Sequence, residues 1–94
     1  MPVVLVFEGM TQEQYEESVR RLTGKERTES PADWPVPGLL AHVPGQGEKG
    51  FRVIDVWESR EALDAFAARL MPILEELGVH DRPDVYPAHT FVSA

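Results

Sequence analysis

The sequence predicts an α+β domain of element order β-α-β-β-α-β, the ferredoxin-like split arrangement, with a four-stranded antiparallel sheet and two helices on one face. Three observations carry this prediction. Residues 11–24 and 59–78 repeat their apolar positions at the helical period, and each run is bracketed by a capping residue and a glycine. Four shorter stretches read as strands, the first of them a β-branched and aromatic run. The second and third of these are joined by a single glycine-rich segment, which implies an antiparallel hairpin.

Val3-Val4-Leu5-Val6-Phe7 opens the chain and is apolar at both parities, so burial on both sides is expected. Glu8-Gly9 breaks it. Thr11 starts the first helix through a Thr-x-x-Gln capping box with Gln14. Tyr15, Val19 and Leu22 form its apolar stripe, and Glu16–Arg20 and Glu17–Arg21 are expected as ion pairs on the solvated face. Gly24 ends it. Residues 25–37 are polar, contain Pro31, Pro35 and Pro37, and read as a surface connection long enough to suggest a lid or binding loop. Trp34 within it either covers a pocket or pins the loop to the core or to a neighbouring subunit. Residues 38–43 read as the second strand, 44–50 as the turn, and Phe51–Trp57 as the third strand. Ser59 caps the second helix, with Glu61 in the first turn, where an acid suits the dipole. Leu63, Phe66, Leu70, Ile73, Leu74 and Leu77 mark its buried face. Pro72 predicts a kink or a loosened turn, and Gly78 is the stop. Residues 84–92 hold the last strand, which Pro87 assigns to an edge or a bulge.

A chain of 94 residues makes one domain, spanning 1–94. Its net charge of −7 argues against nucleic acid and against anionic membrane surfaces, both of which need a basic footprint. No apolar run approaches the roughly 20 residues of a membrane span. The Met-Pro start followed by a short strand does not read as a signal peptide, so a cytoplasmic location is the expectation. There is no cysteine, hence no disulfide framework, thiolate nucleophile or cysteine metal site. Two helices cover one face of the sheet, while the first and third strands are apolar on both. The uncovered face would be a large adhesive patch, and so short a chain buries only about two thirds of its unfolded surface. A homodimer with the sheets face to face is therefore expected.

Among residues that could carry chemistry, His42 stands out in an apolar strand, where an imidazole can act as a base near neutral pH. Asp55 is equally out of place among Val53, Ile54 and Val56. If the hairpin register puts the two on one face, the carboxylate orients the imidazole and makes it more basic; the alternative is a purely structural pair at the dimer seam. Arg52 and His89 form a second candidate pair, with Arg52 either holding an acidic ligand or making a surface ion pair. Tyr15 and Trp57 read either as core or as the wall of a pocket for an aromatic ligand. His80, next to Asp81 in a loop, reads as solvated. No Gly-x-Gly-x-x-Gly or phosphate loop supports a nucleotide, no spacing supports a metal, and no serine sits on a nucleophile elbow. Any chemistry would be acid–base work without a cofactor.

The segments PGLLAHVPG (37–45) and FRVIDVWESREALDAF (51–66) resemble the small dimeric α/β-barrel proteins related to antibiotic-biosynthesis monooxygenases, above all in the Trp-Glu-Ser-x-Glu-Ala signature from Trp57 to Phe66. The resemblance implies a dimeric α/β barrel with a pocket between sheet and helices. Fold does not fix function in that superfamily, which includes cofactor-free oxygenases, haem degraders, isomerases and cyclases. The positions that carry a Trp and a haem-ligating His in the haem degraders hold Phe66 and Glu76 here, so a haem role is not supported. The reading is a homodimer that binds a small aromatic or polyketide-like molecule, either as a cofactor-independent monooxygenase, isomerase or cyclase, or as a non-catalytic binding or dimerisation protein. In the enzymatic case His42 is the base and Asp55 its orienter, with Tyr15, Trp57, Arg52, His89 and Trp34 as ligand contacts.

Overall fold

Two central strands set the architecture of the computed structural model, which describes residues 1–93. β1 (Val3–Phe7) alternates buried and half-buried residues along its whole length, and β3 (Gly50–Trp57) does so over its second half. They pair antiparallel, Val3 opposite Trp57, Leu5 opposite Asp55 and Phe7 opposite Val53, so all six of these residues point to the same side. That side is covered by α1 (Gln12–Thr23) and α2 (Arg60–Glu76). β2 (Leu39–Gly47) and β4 (Asp84–Pro87) complete an antiparallel sheet of order β2-β3-β1-β4.

The helices begin where their caps say. The Thr11 hydroxyl accepts from the Gln14 backbone while the Gln14 side chain accepts from the Thr11 backbone. Ser59 accepts from Ala62 in the same way at the start of α2. Gly24, at φ 75°, closes α1 in a left-handed conformation. From α2, Leu63, Phe66 and Leu74 are fully buried against the sheet, whereas Leu70 and Leu77 are half-buried at the edges of the same face. Pro72 lies inside α2 on its exposed side.

Four sequence expectations need correction. The second strand does not stop at residue 43: pairing continues through Gly45–Arg52 and Gln46–Phe51 to Gly47–Gly50, leaving a tight turn at Glu48-Lys49. Pro44 is compatible with this because β2 is an edge strand, where a missing N–H costs no ladder bond. The last strand ends at Pro87 rather than at 92, since only residues 84–87 pair with β1, and His89 falls outside it. Arg20 pairs with Glu17, not with Glu16, so one carboxylate serves both Arg20 and Arg21. Within one chain the second face of β1 and β3, carrying Val4, Val6, Ile54 and Val56, is half-exposed rather than buried.

A β-bulge in β2 has the largest consequence for the site. Leu39 lies opposite Trp57 but Ala41 lies opposite Val56, so Leu40 is the extra residue, and it is exposed. Simple alternation would send Leu39 and His42 to opposite faces. The inserted residue lets both face the helices.

Candidate functional site

The site grows from the register of the hairpin. His42 and Asp55 are direct cross-strand partners, and His42 Nδ1 lies 2.6 Å from Asp55 Oδ1. Asp55 is buried to 2% exposure, where an unpaired carboxylate would be costly. Two donors meet it: the His42 ring N–H on Oδ1 and the Trp57 indole N–H on Oδ2, at 3.3 Å. Asp55 and Trp57 share a strand parity, which is why the indole can reach the carboxylate.

On the other side of the imidazole, the Tyr15 hydroxyl is 2.5 Å from His42 Nε2. The chemistry of the row assigns the protons. A carboxylate only accepts, so Nδ1 carries the hydrogen; with the ring neutral, Nε2 is an acceptor and the phenol donates to it. Burial, followed by the negative charges of Asp55 and Glu16, pushes the Tyr15 pKa up to about 12. The phenol therefore keeps its proton at neutral pH and acts as a donor. Tyr15, His42, Asp55 and Trp57 thus form one continuous hydrogen-bonded line from helix to sheet.

Trp34 closes this arrangement from the loop, its ring edge-on to His42 with centroids 4.5 Å apart. Its approach is set by Asp33, which folds the loop around itself. The Asp33 carboxylate accepts from the backbone of Glu29 and Ser30 and from Lys25 Nζ at 2.6 Å. These contacts, the Glu29 backbone first, then the Lys25 ammonium and the Ser30 backbone, lower its pKa to about 2.

Two cavities adjoin His42 and Trp34. An inner one, about 40 Å³, lies between helix and sheet, with Tyr15, His42 and Asp55 in its wall and Leu5, Val19, Leu22 and Leu70 among its apolar lining. An outer cleft of about 200 Å³ runs between Thr28–Pro31 and Leu39–His42.

The structure thus gathers Tyr15, His42, Asp55 and Trp34. Trp57 stands directly behind Asp55, fully buried and stacked on Phe66 at 4.7 Å; it does not line either cavity, contrary to its expected place as a ligand contact. Arg52 has the opposite parity, projects from the other face and pairs with Glu8 at 2.6 Å. His89 is exposed beyond β4, where its ring hydrogen-bonds to Thr90. Neither joins the site. An apolar pocket between sheet and helices and a binding role for loop 25–37 were expected, but Thr28–Pro31 and the residues of the inner lining were not named as ligand contacts.

A sheet of order β2-β3-β1-β4 with two helices on one face and a polar row between the layers defines the α+β, ferredoxin-like class. No protein-family model and no curated protein matches the chain by sequence. Among solved structures, Rv0793 from Mycobacterium tuberculosis matches 100% of this chain and 99% of its own at 13% identity, with a TM-score of 0.61. A provisionally named antibiotic-biosynthesis monooxygenase from Deinococcus radiodurans matches 100% and 98% at 12% identity, with a TM-score of 0.58. A monooxygenase of Streptomyces coelicolor, solved with nanaomycin D, matches 99% and 91% at 20% identity and a TM-score of 0.46, a likeness too loose to argue from. The fold is that of the antibiotic-biosynthesis-monooxygenase-like proteins, in agreement with the signature at Trp57–Phe66.

Proposed function

We propose that this chain forms a homodimer that binds a small aromatic or polyketide-like molecule and acts on it without a cofactor, as a monooxygenase or a related isomerase or cyclase. The observation that carries the reading is the row Asp55–His42–Tyr15 ending at the wall of a cavity. Trp34 and His42 line both cavities, so a shift of Trp34 joins them and brings a ligand to the Tyr15 hydroxyl. There the phenol takes a proton from an acidic O–H or C–H of the ligand as it passes its own to His42 Nε2. Asp55 holds the ring tautomer and stabilises the imidazolium that forms. In the oxygenase case the resulting carbanion bonds to dioxygen and the hydroperoxide recovers the proton. Loss of the second C–H proton, with cleavage of the O–O bond, releases water: CH₂ + O₂ gives C=O + H₂O.

The test is oxygen uptake and product formation with a panel of anthrones and activated phenols. Tyr15→Phe and His42→Ala should lower turnover by about 10²–10⁴-fold, the usual weight of a positioned acid or base. A second reading, a non-catalytic binding or dimerisation protein, is favoured by the small inner cavity and by the full pairing of buried polar groups among the described residues. Saturable binding without turnover, with His42→Ala altering affinity alone, would select binding. No response to any ligand would select dimerisation.

A further inference from the structure

The inner cavity has two properties that together specify its guest. Its volume, about 40 Å³, is too small for an aromatic ring. It is also unsuited to water, although a single water would fit by size, because a buried water needs two to four polar partners. Its exposed surface is almost wholly apolar, because most hydroxyls and N–H groups of its wall are turned to other partners. The Tyr15 hydroxyl donates to His42, the His42 ring N–H to Asp55, Ser18 Oγ to the Tyr15 carbonyl at 2.7 Å, and Thr23 Oγ1 to the Val19 carbonyl at 2.8 Å. Among the described residues, the Trp34 indole N–H is the one side-chain donor of the lining that makes no hydrogen bond. Most of the wall is hydrocarbon, with Leu5, Val19, Leu22, Val53, Phe66 and Leu70 among its lining. Val19 is buried to 6% exposure yet is not joined to the contiguous apolar core, as expected where packing leaves a gap between helix and sheet.

A space of this size and almost wholly apolar lining suits a small apolar molecule better than water or the organic ligand. We propose that it is a dioxygen site, separate from the outer cleft that takes the aromatic compound. Its role as a co-substrate site rests on the oxygenase reading above; its occupancy by the gas does not. The arrangement puts dioxygen beside Tyr15, with Trp34 and His42 between it and the ligand in the outer cleft.

Occupancy can be read without turnover, from methyl relaxation in NMR spectra of the intact protein equilibrated with pressurised oxygen and, as a diamagnetic control, with argon. Leu5, Val19 and Val53 line the cavity, whereas Val3, Leu63 and Val79 are comparably buried but do not. The expected result is severalfold stronger oxygen-induced relaxation at the first three, abolished in Val19→Ile, which fills the space. Leu22→Phe, at a half-buried position, provides a second filling variant if Val19→Ile folds poorly. Equal relaxation in both sets, or cross-relaxation from a bound water to the lining methyls, would overturn the site. Preferential relaxation with no oxygen uptake on any phenol or anthrone would keep the gas site and remove the oxygenase reading instead. If both hold, Val19→Ile should raise the KM for oxygen severalfold while the KM for the aromatic substrate stays unchanged.

Discussion

At the scale of single residues, Tyr15 is held as an acid by its surroundings. Burial is the larger cause and the Asp55 and Glu16 charges add to it, so its pKa of about 12 lies above that of an unfolded tyrosine, about 10. The sign of the linkage follows. The folded state keeps a proton that the unfolded state gives up first, so this contribution to stability is complete below about pH 10 and is lost as pH rises through about 12. The wild-type minus Tyr15→Phe phenolate absorbance should therefore appear near pH 12, and Tyr15→Phe should flatten the alkaline fall in stability between those limits. Phenolate appearing near pH 10 would show that the hydroxyl is not held as described. Asp55 is the other decisive residue. Asp55→Ala strands both the indole N–H of Trp57 and the ring N–H of His42, each worth about 1–3 kcal/mol when left unpaired in the interior. A loss of about 3 kcal/mol in urea unfolding is expected.

At the scale of elements, the bulge in β2 decides which residues meet. It follows Gly38, whose φ of 111° is in the region that suits glycine, and where an added Cβ would lie 2.6 Å from the Cβ of Ala62. Gly38→Ala should cost about 1–3 kcal/mol through overpacking against α2. It should also shift the His42 ring resonances, since the start of β2 must move. Unchanged stability with unchanged resonances would mean that α2 yields freely there. None of this was legible beforehand. The glycine was visible, and so was an apolar strand containing His42, but a one-residue insertion in a ladder depends on both strands at once. The caps and the apolar stripe of α2 were legible because they are set by residues within one turn of each other. The length of β2 was misread because Pro44, Gly45 and Gly47 have turn chemistry, which the edge position overrides.

At the scale of the whole molecule, the uncovered face of the sheet argues for self-association. Val4, Val6, Ile54 and Val56 remain half-exposed, and Val43 is 59% exposed on the neighbouring strand. A contiguous apolar face of this kind is costly in water. If two copies cover it, sedimentation at micromolar concentration should give twice the monomer mass. Ile54→Lys, which puts a charge in the centre of the face, should give the 10.6 kDa monomer with its circular dichroism unchanged. A wild-type chain that sediments as a monomer at all concentrations would rule the homodimer out.

The sequence by itself determined the element order and the helix boundaries, because caps and periodicity act over short distances along the chain. It also nominated His42, Asp55 and Tyr15, since polar groups in apolar surroundings stand out in any reading. Only the tertiary structure decided that these three form a single row, that Trp57 serves Asp55 from behind, and that Arg52 and His89 lie elsewhere. Those outcomes depend on the bulge, on where pairing of the last strand ends, and on how α1 settles over the sheet. Each is an equilibrium among contacts distant in sequence, and the small cavity beside Tyr15 is the space that their compromise leaves unfilled.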